Sequence, residues 1–307
     1  MKRLLLAFLI LVMILGTAAC NDNKPIITPS QPTDRIDGTS EKPEETNSSE
    51  LPVTATNSVS LDEQLLVDQD GVVITLKGLD FSDSYYAGKI KVLIENDSDR
   101  DINVSILAIA VNDIMVDGDM YTSVGAGKKS NEMISFYKDD FDNAGIEVIK
   151  TVDVIFDVYD PSTYDDIFIS DLISMTTTGS EDYAQVYYGG DQLVFDNDGV
   201  KLVVQDIVVY ENSYYGAGVI YYVENNSENL ISITAGNTSV NGFMVDGGMY
   251  TVVMAGKKAY TSLDFNADEL AENDIEIITE VEASYTVYDP ETYEDYFTAG
   301  NIKTAFS

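Results

Sequence analysis

The sequence predicts an all-β protein in which one antiparallel sandwich is built twice. Three observations carry that reading. First, VDGDMYTSVGAGKK, beginning at Val116, returns as VDGGMYTVVMAGKK, beginning at Val245, an offset of 129 residues. Second, short runs of β-branched and aromatic residues alternate with polar ones, the mark of half-buried strands. Third, Asp-Gly pairs at 70–71 and 198–199 stand between such runs, where a type I′ hairpin turn needs positive φ. A period near 129 residues is too long for a solenoid unit and close to the size of one ordinary domain.

In chain order, Met1-Lys2-Arg3 precedes an apolar run from Leu4 to Leu15, followed by Gly16-Thr17-Ala18-Ala19-Cys20. A basic start, an apolar segment and small residues before a cleavage point make a secretory signal. The run is too short for a comfortable membrane span. Small residues ending on Cys20 resemble the lipobox of bacterial lipoproteins, although Thr17 stands where Leu is usual. The resemblance implies removal of residues 1–19 and a lipidated Cys20 holding the protein to the outer face of the cell membrane. Two acyl chains suffice for stable anchoring where one is marginal.

Residues 20–61 are rich in Asn, Thr, Ser, Pro and Glu and show no apolar period. Such a segment buries too little surface to offset chain entropy, so a disordered tether is expected. Its root-mean-square span would be roughly 35 Å.

Repeat 1 is expected over 62–178 and repeat 2 over 191–307, joined by a connection at 179–190. In the first copy the strands read 64–68, 72–77, 89–95, 102–111, 129–136, 152–158 and 172–178. In the second, 192–196 and 200–204 flank the Asp-Gly pair, and 301–306 closes the chain. Helical punctuation is expected at 139–145 and 266–274, whose acidic starts suit a helix N-terminus. Asp160-Pro161 and Asp289-Pro290 predict one further turn of helix, Asp capping and Pro leading. Seven or eight strands per copy fit an antiparallel sandwich of immunoglobulin-like size, each half closing its own two sheets.

GVVITLKGL, IKVLIENDSDRDINV, VNDIMVDGDMYTSVGAGKK and the YDP-containing strand end resemble a family of uncharacterised, repeated immunoglobulin-like domains found in lipoproteins of Gram-positive bacteria. The resemblance covers both copies and implies a fold, not an activity. The Cys pair and Trp of antibody-type domains are lacking, so the cores must rest on aliphatics, Tyr and Phe.

The chain carries 53 acids against 17 Lys and Arg, a net charge of −36. Such a surface repels phosphate backbones and argues against nucleic acid as partner. With no His and its one Cys assigned to lipid, Ser-His-Asp and Cys-His catalysis are excluded, and no acid sits in a catalytic motif. A non-catalytic binding or spacer unit of the envelope is the reading, with an envelope protein or polysaccharide as partner. The alternative is a calcium-dependent adhesive or ligand-binding module using Asp68, Asp70, Asp196 and Asp198. A calcium loop needs six or more oxygens, however, and turn chemistry alone explains Asp-Gly.

Two further sets invite a ligand. Lys128-Lys129 and Lys257-Lys258 would grip an anionic polymer, or else shield a strand start from edge pairing. Tyr85-Tyr86 and Tyr214-Tyr215 would anchor a protein or sugar surface. On a strand, one Tyr of each consecutive pair, Tyr221-Tyr222 included, must face the core and the other must face out.

Overall fold

The computed structural model describes residues 59–211 and 213–306. The signal segment, Cys20 and the tether up to residue 58 lie outside these described residues.

Repeat 1 comprises β1 (Gln64–Gln69), β2 (Val72–Asp80), β3 (Tyr86–Asn96), β4 (Ile102–Val111), β5 (Ile114–Met115), β6 (Gly118–Asp119), β7 (Tyr121–Val124), β8 (Lys128–Tyr137), α1 (Lys138–Ala144), β9 (Thr151–Tyr159), β10 (Asp166–Ile169) and β11 (Ile173–Thr176). Repeat 2 comprises β12 (Gln192–Asn197), β13 (Val200–Val209), β14 (Tyr215–Asn225), β15 (Ile231–Val240), β16 (Phe243–Met244), β17 (Gly247–Gly248), β18 (Tyr250–Val253), β19 (Lys258–Asn266), α2 (Ala267–Glu272), β20 (Glu280–Tyr288) and β21 (Asp295–Ala305). The fold is all-β.

One sheet of repeat 1 runs β1-β2-β3-β8-β6. The other is centred on β4 and β9, with β5 and β7 along one edge and β10 and β11 along the other. Repeat 2 has the same plan: β12-β13-β14-β19-β17 faces a sheet centred on β15 and β20. Alternation builds the layers. Ile90, Val92 and Ile94 of β3 point inward, as do Val152, Val154, Phe156 and Val158 of β9. Burying each contributes about 1.5–3 kcal/mol. A one-residue slip would turn such a set outward, so the pattern pins the register.

The hairpin turns form as the sequence requires, with φ of 51° and 80° at Asp70-Gly71 and 48° and 80° at Asp198-Gly199. Each turn packs on the loop between the third and fourth strands: Asp97 N donates to Gly71 O at 2.7 Å, and Asn226 N to Gly199 O at 2.7 Å. Those loops are each tied by one buried Asn. The Asn96 amide donates to the carbonyls of Arg100 and Val124, and its oxygen accepts from Ser98. Asn225 does the same with Asn229, Val253, Met254 and Ser227.

Several expectations are corrected. Val59 and Leu61 are buried, and Ser60 bridges Thr178, so the part of the expected tether from residue 59 onward belongs to repeat 1. Asp160 and Asp289 do cap the backbone after them, and a single turn follows, closed by Tyr164 N to Asp160 O at 2.9 Å and Tyr293 N to Asp289 O at 2.8 Å, without lengthening into a helix. Tyr164 and Tyr293 both take φ of 60°, which ends the turn and stacks each ring near Tyr159 or Tyr288. The last strand of repeat 2 begins at Asp295, not 301. Among the described residues repeat 1 has eleven strands and repeat 2 ten, because the edge segment after β4 or β15 breaks into short pieces that serve both sheets.

The largest departure concerns the two halves. Lys258 pairs with Ile114 in parallel, so β19 of repeat 2 continues the β4–β9 sheet of repeat 1 into one of eleven strands. The join is a single residue pair wide. Each repeat keeps its own hydrophobic core, one around Phe136 and Phe156, the other around Tyr221, Phe265 and Tyr285.

Candidate functional site

Several residues that the repeats do not share lie where the repeats meet. Val111-Asn112-Asp113-Ile114 makes a tight turn with φ of 51° and 65° at its centre. Its counterpart is Val240-Asn241-Gly242-Phe243, so repeat 1 places Asp where the conformation is easier for Gly. That Asp113 carboxylate accepts from the Lys257 ammonium at 2.6 Å, and Asp153 on β9 accepts from the same nitrogen at 2.6 Å. The Ser174 hydroxyl donates to the other Asp153 oxygen. Lys257 is 12% exposed and Asp153 6%. Burial pulls the Lys257 ammonium down, but its bonds to Asp113 and Asp153 outweigh that and hold it above the usual lysine range. Lys258 N donates to Asp113 O at 2.9 Å. Around this polar centre pack Ala108, Ala110 and Met254, with Met115, Ile155, Leu230 and Val252 at the margin.

The connection between repeats seals one side. The Gln185 amide donates to the carbonyls of Ala144 and Gly145. Tyr187 OH donates to Asn112 O, and the Lys258 ammonium lies 4.3 Å from the Tyr187 ring centre. Tyr188 N donates to Tyr260 OH at 2.9 Å. Gly190 lies against β13 so closely that a Cβ there would sit 1.5 Å from Val204 O, so only glycine fits. Tyr222, on the face of β14 away from its own core, is therefore buried under Gly189 and Tyr260, and burial raises its phenol well above the usual range. Tyr221 is the core member of that pair.

On another side the joint leaves a cleft of about 400 Å³, with Ile106, Ala108, Met115, Asp140, Tyr250 and Tyr260 among its lining residues. Asp140, at the start of α1, accepts a hydrogen bond from Asp117 N at 3.0 Å. Burial lifts its carboxyl to about 6, against that hydrogen bond; the charges of Asp117 and Asp139 push it the same way. The matched contact in repeat 2, Asp246 N to Glu269 at 2.6 Å, borders an open groove lined by Tyr214, Tyr215, Asn237 and Met244.

The residues singled out from sequence fall as follows. Asp68, Asp70, Asp196 and Asp198 are exposed and lie at the ends of hairpins. Among the described residues no group of three or more acids, His or Cys is placed to hold a metal ion. Lys128 and Lys129 are exposed, Lys129 pairing with Glu95. The Lys257 ammonium meets Asp113 and Asp153 of the other repeat, the Lys258 ammonium lies over the Tyr187 ring, and the Lys258 backbone, instead of being shielded from edge pairing, makes it. Tyr85 and Tyr214 are largely exposed, each edge-on to its neighbour, Tyr86 or Tyr215, at 4.9 and 5.1 Å between ring centres. Asp113, Asp140, Asp153, Tyr187 and Tyr260 were not among the sequence candidates. For Asp113 a signal existed: Asn-Asp against Asn-Gly is a mismatch inside an otherwise repeated segment.

No family model matches the chain, and no curated relative matches it in sequence. Among solved structures, a protein of unknown function from Porphyromonas gingivalis W83 is 10% identical, with a TM-score of 0.20, covering 71% of this chain and 91% of its own. The YadV chaperone is 10% identical at a TM-score of 0.21, covering 71% and 92%. The Salmonella enterica SafA pilin–SafB chaperone complex is 12% identical at 0.21, covering 71% and 89%. Scores this low carry no argument about function. No helix among the described residues is long and apolar enough to cross a membrane.

Proposed function

We propose that this chain is a lipid-anchored binding protein of the outer envelope surface, non-catalytic, whose two immunoglobulin-like modules act as one unit. The observation that carries the reading is the joint. Lys257 is buried between Asp113 and Asp153 in a contact that the matched positions, Gly242 and Glu282, do not make. A buried ion pair is weak evidence for stability, but it fixes which surfaces meet. Two modules held in one orientation suit display of a surface at the end of a tether. The exposed Tyr214, Tyr215 and Met244 of repeat 2 are the contact residues for an envelope protein or polysaccharide.

Labelled palmitate should enter the wild-type protein and not Cys20→Ala; equal labelling of both refutes the anchor. Replacing Tyr214 and Tyr215 by Ala should abolish capture of envelope fractions, and unchanged capture would move the contact surface elsewhere. A calcium-dependent module would melt higher with calcium than with chelator, since a bound ion stabilises by mass action. No difference is expected.

A further inference from the structure

We infer that the cleft between the repeats binds a small organic cation, an ammonium carried on an apolar body. This goes beyond the anchored binding unit above and stands or falls apart from Cys20 and the distal tyrosines.

The repeats supply an internal control. Both contain the same cradle, a backbone N–H at the second residue of the Val-Asp-Gly segment bonded to a carboxylate in the first turn of the following helix. In repeat 2 the positions beside it are Gly236, Asn237 and Thr238, and among the described residues no other module lines the groove. In repeat 1 the same positions are Leu107, Ala108 and Ile109, and Tyr250, Val252 and Tyr260 of repeat 2 form the opposing wall. The cleft of about 400 Å³ therefore sets Ile106, Leu107 and Met115 on one side, Tyr250 and Tyr260 on the other, and a polar margin that includes the acids Asp117 and Asp140.

Protein interiors and joints close-pack, and a half-buried carboxylate without a counter-charge is costly. Among the described residues no Lys or Arg forms an ion pair with Asp140. The charged neighbours that act on it, Asp117 and Asp139, are both acids. An ammonium would supply the missing charge, its body would cover Leu107 and Met115, and Tyr250 and Tyr260 line the same cleft. An anion is repelled by the same groups, and a neutral apolar ligand would leave the carboxylate with the Asp117 N–H and no counter-charge.

Calorimetric titration of the mature full-length chain with phenethylammonium and with its neutral analogue 2-phenylethanol tests this at pH 8. The ammonium should bind at least about tenfold tighter than the alcohol. Asp140→Asn should lose about tenfold for the ammonium and nothing for the alcohol, while Glu269→Gln, the matched change in repeat 2, should leave both unchanged. Lowering the pH of the wild type from 8 to 5 protonates Asp140 without a mutation and should weaken the ammonium alone. Equal affinity for the two probes, no binding of either, or equal losses in Asp140→Asn and Glu269→Gln would overturn the site. The last result would reduce it to general attraction by an acidic surface.

Discussion

Val92 and Phe156 face one another's sheets in the core of repeat 1; the same positions in repeat 2 hold Tyr221 and Tyr285, whose hydroxyls lie 2.8 Å apart and fully buried. Burial raises the Tyr221 phenol well above its ordinary range and the Tyr285 phenol to about 12, so both stay neutral and one donates to the other. Cores tolerate such exchange when volume and polar pairing are both met. Turns and ties are the opposite case: Asn96 and Asn225 make the same set of bonds, and Asn112 and Asn241 each hold the strand that follows a helix. At the joint the repeats differ in a third way. The facing surfaces carry Ala108, Ala110, Leu230 and Met254, and their counterparts on the outward ends are Asn237, Ser239, Asp101 and Gly125. The matched positions are therefore apolar where the two modules meet and polar at the far ends.

The largest effect should come from emptying either core. Tyr285→Ala and Phe156→Ala should each cost about 3–5 kcal/mol in urea unfolding. If the joint couples the modules, either change lowers the midpoint reported from both repeats; separate midpoints would sharpen the comparison into two independent folds. Next comes the joint itself. Lys257→Ala leaves Asp153 buried without its partner and should cost about 3 kcal/mol, against less than about 0.5 kcal/mol for Lys128→Ala at the matched exposed position. Equal costs would mean the two basic pairs do the same job.

A smaller effect separates the cores chemically. Tyr285→Phe strands the Tyr221 hydroxyl and should cost about 1–3 kcal/mol, and adding Tyr221→Phe should recover most of that. A double variant as unstable as the sum of the singles would contradict a paired interior. The smallest is a pH effect. Asp140 has a folded-state pKa near 6, raised above its ordinary 3.8. Between those values the folded state holds more protons than the unfolded one, so its contribution to stability falls as pH rises from about 4 to 6. The unfolding free energy should therefore gain slightly from this group on acidification through that window, by less than about 1 kcal/mol after solvent screening, with a matching small rise in melting temperature. Asp140→Asn should remove that component and Glu269→Gln should not.

Much of the fold was legible because its causes are local. Alternation gave the strands, Asp-Gly the hairpins, and acidic starts the positions of α1 and α2 to within a few residues. Asn266 caps α2 with its side chain, whereas Tyr137 offers α1 no such bond, a difference readable from residue type alone. The candidate site was not legible, since it lies between repeats. Lys257 reads as a charged strand start like Lys128, and only a neighbour 144 residues away, Asp113, makes it buried. The pair Tyr221-Tyr222 reads as one ring inward and one outward, and only the connection passing over Tyr222 buries both. The end of the tether was misplaced for a related reason: Ser60 is held by Thr178, a partner from the far end of the module.

The central claim is that one buried lysine and the apolar surfaces around it hold two self-sufficient sandwiches in a single orientation. Spin labels on Asp99→Cys in repeat 1 and Glu291→Cys in repeat 2, with Cys20→Ser, report it by pulsed dipolar spectroscopy; both labelled positions are exposed. A single narrow distance distribution that broadens when Lys257→Ala is added is the expected result. A broad distribution before that substitution, unchanged by it, would contradict the account.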